Sequence, residues 1–152
     1  MRLSDRPPYS YRDDPAVPPL PDGPVAVMDG DCALCTFGAR WIARLDRRGA
    51  ISIAPASGRV GAALLGHYGL DPQDPDSWLF LDQGRGLGGL EAIAALGRRL
   101  GGAGWLLAPL AWPPEPLRDV LYRAVARRRR HLFGRADLCA APDPRLQARL
   151  LP

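Results

Sequence analysis

The stretch that decides the fold runs from Val25 to Ile42 and reads VAVMDGDCALCTFGARWI. Residues 25–28 are a short apolar run, which is typical of a buried strand. Apolar side chains then recur at helical spacing from Leu34 to Leu45, and Asp31 is the predicted N-cap of that helix. The stretch therefore predicts a buried strand that turns directly into an amphipathic helix, which Gly49 would end.

The patterns that follow predict the rest of a small sheet. Residues 50–54 (AISIA) and 78–82 (WLFLD) have the composition of buried strands, and a short return strand at 87–89 follows the turn QGRG. Amphipathic helices are predicted at 58–67 and 90–100. Two parallel strands joined by a helix, followed by a hairpin and a further helix, make an α/β fold with a small mixed sheet in the order β-α-β-α-β-β-α.

Segments of a different character lie on either side of this core. Residues 1–23 contain six prolines and no helical or strand period, so we predict a disordered or extended arm before one domain at 24–152. Residues 115–130 (EPLRDVLYRAVARRRR) predict an added amphipathic helix, and a tail with the third cysteine follows it. We interpret Trp105 and Trp112 as packing contacts of that helix with the sheet rather than as a partner-binding ridge. The predicted apolar face of the helix consists of Leu117, Val120, Leu121, Ala124 and Val125.

The composition limits the class of protein. The chain has 152 residues, 47% of them hydrophobic, and a net charge of +4, which is ordinary for one soluble globular domain. Three cysteines are too few for a disulfide scaffold, and no secretory leader pattern is present. The longest apolar run, around Trp105–Trp112, is interrupted by Pro109. We therefore predict a cytoplasmic protein with reduced thiols and no membrane partner.

Cys32 and Cys35 are three residues apart at the start of the first predicted helix. Unpaired N–H groups and the helix dipole favour a thiolate there, and the spacing lets the second sulfur reach a mixed disulfide on the first. Thiol–disulfide exchange requires this arrangement. We therefore predict a CxxC dithiol with Cys32 as the nucleophile and Cys35 as the resolving thiol, and with neither a metal nor a cofactor.

Other interpretations of these residues are open at this point. The cysteines could be small buried hydrophobic residues, or they could bind zinc together with Cys139 and His131. The chain would then be a non-catalytic binding module with its arginine-rich helix end as the working surface. A strand that ends in Asp-Gly-Asp is also similar to the nucleophile loop of haloacid dehalogenase-like phosphatases, which would make Asp29 the nucleophile. That class needs a later basic residue for phosphate, and the chain contains no lysine.

Three segments together resemble one known family. They are MDGDCALC at 28–35, WLFLDQGRGLGGLEAIAALG at 78–97 and LYRAVARRRRHLFGRADLC at 121–139, and they are similar to the DCC family of predicted thiol-disulfide oxidoreductases. The resemblance covers about residues 24–145. It implies a thioredoxin-like fold and a redox activity on a protein or small-molecule disulfide, with an electron donor that is not identified.

The Asp-x-x-Cys-x-x-Cys motif of that family corresponds to Asp29, Cys32 and Cys35. We interpret Asp29 as a proton acceptor for Cys35, and Asp31 as a helix cap. Two carboxylates next to the thiols would oppose thiolate formation, so we predict a mild reductant. Thioredoxins place a cis-proline directly before their third strand, and the nearest counterpart here, Pro75, comes too early in the chain.

The C-terminal segment carries a basic patch and the third cysteine. The patch consists of arginines between Arg123 and Arg135, and no RNA-binding aromatic signature accompanies it. We interpret it as a solvated helix end and expect no nucleic-acid partner. We expect the tail to fold back onto the core, with Phe133 and Leu138 as apolar anchors and Cys139 as a buried, packed thiol.

Overall fold

The structure is a computed structural model that describes residues 3–74 and 78–152. Pro75, the predicted counterpart of the thioredoxin cis-proline, lies outside the described residues. The central sheet of the described chain has four strands, β1 Val25–Met28, β2 Ser52–Pro55, β3 Leu79–Asp82 and β4 Arg85–Gly88. Their order is β2-β1-β3-β4, with β1 parallel to β2 and antiparallel to β3, and with β3 and β4 forming a hairpin.

The helices complete the predicted order of elements. From β1 to the third helix the chain follows β-α-β-α-β-β-α, which confirms the predicted α/β, thioredoxin-like fold with an added C-terminal helix. No described helix combines the length and the apolar character that crossing a bilayer requires. The helices are α1 Ala33–Leu45, α2 Arg59–His67, α3 Gly89–Leu100, α4 Glu115–Phe133 and the short α5 Pro144–Gln147. Segments of 3-10 helix lie at Leu3–Asp5, Ser10–Asp13 and Gly102–Ala111.

Apolar layers cover both faces of the sheet. Because side chains alternate along a strand, Ala26 and Met28 pack with α1 and α3, whereas Val25 and Val27 pack with α2. The central strand β1 is therefore buried throughout. The loop at 29–32 follows its carboxyl end. The predicted inward face of α2 is confirmed as buried; it consists of Val60, Leu64 and Leu65.

Helix α1 buries less of its apolar surface than its sequence pattern predicts. Ile42 is buried, but Phe37 and Trp41 are 59% and 42% exposed and contact each other with ring centroids 6.1 Å apart. The helix ends at Leu45, and Gly49, the predicted terminator, lies four residues beyond it. The hydrophobic period therefore identifies the helix but overstates the width of its buried face.

Helix α4 does not bury the face that its sequence predicts. Its inward side carries Tyr122, Ala126 and Arg129, which share one face at i, i+4 and i+7. Trp105 and Trp112, also predicted to pack, are 57% and 82% exposed. The helix therefore meets the core through a small residue and an arginine, and its apolar stripe faces outward. The exposed stripe consists of Leu117, Val120, Leu121, Ala124 and Val125.

Residues 3–23 lie against the hairpin and α2. The Tyr9 N–H donates to a carbonyl in the β3–β4 turn at 2.8 Å, and Tyr11 is buried in the layer that contains α2. His67 Nδ1 lies 2.7 Å from a carboxylate oxygen of Asp14. These contacts give the segment specific partners in the structure, while the division of the chain into an arm and a domain stays a prediction.

The C-terminal residues cover the open edge of the sheet beside β2. Ile53 donates its N–H to the Arg149 carbonyl and accepts one from Leu151, both at 2.8 Å. The Arg149 guanidinium binds the Asp46 carboxylate, and both side chains are only 9% exposed. Burial alone would raise the pKa of Asp46, but hydrogen bonds from the Ile51 N–H and from Arg149 hold that pKa below its ordinary value.

Asp46→Ala should lower the free energy of unfolding by about 3–5 kcal/mol at neutral pH, because it leaves a buried guanidinium unpaired. The folded-state pKa of Asp46 lies below the ordinary 3.8. The Asp46–Arg149 pair therefore contributes its full stability above about pH 4 and loses it as the pH falls through the folded-state pKa. Urea titrations at several pH values should show the deficit shrinking below about pH 4. Arg145→Ala, which removes an exposed charge from the same tail, is the control, and equal stability of Asp46→Ala and this control would contradict the assignment.

Candidate active site

The two thiols of the CxxC motif lie where β1 passes into α1. Cys32 is the N-cap residue, with extended backbone at φ −101° and ψ 125°, and the helix begins at Ala33. The prediction that Asp31 is the N-cap is wrong by one residue, and the Asp31 side chain is exposed. The Cys32 carbonyl accepts the Thr36 N–H at 2.9 Å and the Thr36 hydroxyl at 3.1 Å, which fixes the first turn.

Cys32 and Cys35 are neighbours inside the protein. Both are free thiols, and the Cys32 side chain is one of the groups that act on the pKa of Cys35. Cys32 is fully buried and Cys35 is 6% exposed. Burial is the main reason that the pKa of Cys35 is raised to about 12; the charge of Arg129 opposes that rise, while Cys32 and Asp29 add to it. Cys35 is therefore a protonated thiol held against the first cysteine.

Residues 134–138, called the strap below, run alongside the loop that carries Cys32. Gly134 ends α4 with a positive φ of 79°, a conformation that favours glycine. Leu138 at the other end is fully buried in the core layer that contains α1. The strap is thus anchored at both ends next to a thiol that has no exposed surface. Its backbone hydrogen bonds join Ala33 N–H to Gly134 O (3.3 Å), Ala136 N–H to Asp31 O (3.2 Å) and Leu138 N–H to Gly30 O (2.8 Å).

Asp29, directly after β1, is held by two arginines of α4. Its Oδ2 accepts hydrogen bonds from Arg129 Nη2 at 3.2 Å and from Arg130 Nε and Nη2 at 3.2 and 2.8 Å. Its Oδ1 accepts the Asp31 N–H at 2.9 Å. Burial alone would raise the pKa of Asp29, but these hydrogen bonds and the two positive charges hold it below its ordinary value. The carboxylate therefore stays ionised beside the thiols.

The two arginines correct the interpretation of the basic patch. A solvated helix end was predicted, yet Arg129 is buried and Arg130 turns inward to Asp29, while Arg128 is exposed. Sequence reasoning therefore missed two residues of the candidate site. Helical spacing could have identified Arg129, because it lies seven residues after Tyr122 on the face that turns inward.

Cys139 does not join the two thiols in the interior. The expectation that it is buried is wrong, because Cys139 is exposed while its neighbour Leu138 is buried. Phe133, the other expected anchor, is 53% exposed. Partial burial, followed by the charges of Asp137 and Asp31, raises the pKa of Cys139. The dithiol of the site is therefore formed by the first two cysteines.

The alternative sites lack the geometry that their chemistry requires. Across residues 3–74 and 78–152, no three His, Cys, Asp or Glu side chains are grouped as metal ligands. The zinc set with Cys139 and His131 is therefore not assembled. A phosphatase of that class also needs a downstream acidic pair for a metal ion, and the described residues contain no such cluster, while Asp29 is ion-paired with Arg129 and Arg130. The phosphatase interpretation has no support from this arrangement.

A family model for DCC1-like thiol-disulfide oxidoreductases matches residues 26–135, which include both cysteines, Asp29 and the two arginines that bind it. The chain belongs to this family. The match confirms the resemblance that the sequence motifs indicated. Membership of the DCC1-like family supports a redox role in general.

Two curated relatives match this DCC1-like chain over most of its length. The uncharacterized protein YuxK of Bacillus subtilis is 31% identical over 128 residues, which cover 84% of this chain and 93% of that protein. The DCC family protein At1g52590, chloroplastic, of Arabidopsis thaliana is 31% identical over 117 residues, which cover 76% of this chain and 68% of that protein. No solved structure matches the chain significantly.

Proposed function

We propose that the chain is a thiol–disulfide oxidoreductase in which Cys32 attacks the substrate disulfide and Cys35 resolves the product. The observation that carries the proposal is the position of both thiols at the start of α1, where Cys32 is the N-cap and Cys35 follows three residues later. The spacing at the amino end of α1 supports it, because it lets the second sulfur reach a mixed disulfide on the first. Membership of the DCC1-like family supports the same chemistry.

The proposed reaction proceeds in two exchanges. The Cys32 thiolate attacks a disulfide, forms a mixed disulfide with one half and releases the other half as a thiolate. The Cys35 thiolate then attacks the Cys32 sulfur, which forms the Cys32–Cys35 disulfide and releases the second half. One substrate disulfide gains two electrons and the protein dithiol loses two. An external thiol donor returns the protein to the dithiol state.

The redox poise of the pair depends on the charges beside it. The prediction of a mild reductant assumed that Asp29 and Asp31 act on the thiols without counterions. Arg129 and Arg130 bind Asp29, so that assumption does not hold. The reduction potential of the pair therefore has to be measured. We propose a protein or small-molecule disulfide as the substrate. We place the protein in the cytoplasm, because free thiols persist in a reducing compartment.

Reduction of a disulfide-bonded peptide, with dithiothreitol as the electron donor, tests the proposal. The wild-type protein should accelerate the reduction above the rate with dithiothreitol alone, because the dithiol passes electrons to the peptide. A double variant, Cys32→Ala with Cys35→Ala, should return the rate to that background. Cys139→Ala is the matched control and should retain the activity, since that thiol lies outside the site. Equal rates with and without the two cysteines would refute the proposal.

A further inference from the structure

Arg129 has a buried hydrogen-bond donor that none of the contacts described above uses. Its side chain is 5% exposed, and its Nη2 donates to Asp29 at 3.2 Å. Its Nε–H is also buried, and among the residues that the structure describes it has no hydrogen-bond partner. Buried donors are nearly always paired, so this unpaired one requires an explanation, and the charge of the same guanidinium acts on Cys35.

The ionisable groups that act on Cys35 are Arg129 from α4, Cys32 from the start of α1 and Asp29 from the end of β1. Arg129 alone among them favours the charged form of the sulfur; the other two oppose it, as does burial. The resolving step nevertheless requires a Cys35 thiolate. The guanidinium is therefore placed where the reaction needs positive charge.

Asp29 is poorly suited to take the proton from Cys35. Its carboxylate has a pKa below the ordinary 3.8, whereas the pKa of the thiol is about 12. A proton would therefore remain on the sulfur rather than move to Asp29. The carboxylate instead holds Arg129 and Arg130 in place through hydrogen bonds from both.

We propose that Arg129 stabilises the Cys35 thiolate in the resolving step, with its unpaired Nε–H available to the sulfur, and that Asp29 positions Arg129. This inference rests on the proposed function. In the step, the Cys35 thiol loses its proton to solvent, and the thiolate attacks the Cys32 sulfur of the mixed disulfide. The Cys32–substrate S–S bond breaks, and the leaving substrate thiolate takes its electron pair.

An aromatic disulfide whose released thiolate is coloured separates the two exchanges. In a Cys139→Ala background, attack by Cys32 releases the first aromatic thiolate, and attack by Cys35 on the mixed disulfide releases the second. The first phase tests the proposed function and the second tests the role of Arg129. Absence of the first phase would overturn the proposed function, and this inference with it. A normal first phase with a second phase indifferent to Arg129 would overturn the inference alone.

Arg129→Gln should slow the second phase about tenfold at neutral pH, as a Cys35 pKa one unit higher would. The pH dependence of the second phase should shift to higher pH. Arg129→Lys restores the positive charge and should recover most of the rate. Arg128→Gln, an exposed neighbour on the same helix, is the control and should match wild type. A wild-type pH profile in Arg129→Gln, or no recovery in Arg129→Lys, would contradict the assignment.

Asp29→Asn distinguishes a positioning role from that of a base, and it does so even if Arg129→Gln fails to fold. Asparagine keeps an oxygen that accepts hydrogen bonds from the arginines and removes the negative charge that opposes the thiolate. The second phase should therefore be as fast as in wild type or faster. A second phase about tenfold slower at neutral pH would identify Asp29 as the proton acceptor and overturn the inference.

Discussion

Cys32→Ser should abolish disulfide exchange, whereas Cys35→Ser should complete the first exchange and then accumulate mixed disulfides. Serine at position 32 cannot act as the attacking thiolate, so turnover should fall by about a thousandfold or more, the scale seen when a nucleophile is removed. Serine at position 35 leaves the nucleophile intact and removes the group that releases the product. The two variants should therefore fail at different steps.

Non-reducing gel electrophoresis and mass spectrometry, after incubation with a disulfide-bonded peptide, check this difference. Cys35→Ser should carry one peptide per chain on Cys32, released by dithiothreitol, and Cys32→Ser should carry none there. Cys139 is exposed and can itself form adducts, so both variants are compared in a Cys139→Ala background. Identical behaviour of the two variants would show that the assigned roles are wrong.

Leu138→Ala should make Cys32 react with iodoacetamide at least about 30-fold faster than in wild type. Cys32 is fully buried, and the strap at 134–138 is hydrogen-bonded along the loop that carries it. Loss of the buried Leu138 side chain should weaken docking by about 2–5 kcal/mol. Even the lower figure corresponds to roughly 30-fold in the population of the open strap.

Leu64→Ala is the matched control for the strap variant. Leu64 is equally buried and loses the same atoms, but it lies on α2 in the apolar layer on the other face of the sheet. If strap opening exposes Cys32, Leu138→Ala should accelerate alkylation far more than Leu64→Ala at matched global stability. Equal acceleration by both would show that Cys32 becomes accessible only through global unfolding, and the strap would have no separate role.

The order of the elements could be predicted from the sequence because its patterns are local. The apolar run at 25–28 and the helical spacing that follows it specify a strand and a helix without reference to the rest of the chain. The same holds for the hairpin and α3. The position of the two cysteines at the start of α1 follows directly from this order, so the dithiol was also predictable.

The surroundings of the dithiol were not predictable, because they depend on contacts between distant segments. Arg129 binds Asp29 across 100 positions of sequence, and only the docking of α4 turns it inward. The apolar stripe of that helix pointed to the opposite face. Cys139 is exposed because the chain turns at the end of the strap, where the Asp137 carboxylate accepts the Cys139 N–H and Leu138 occupies the interior.

Redox titration with disulfide mapping tests the central role of the Cys32–Cys35 pair most directly. The protein is equilibrated in buffers of defined glutathione ratio, the remaining thiols are alkylated, and the peptides are mapped by mass spectrometry. We predict a reversible two-electron transition in which one intramolecular disulfide links Cys32 to Cys35 while Cys139 forms no intramolecular disulfide. A protein in which Cys32 and Cys35 stay unlinked at all ratios, or in which the disulfide joins Cys139, would contradict this role.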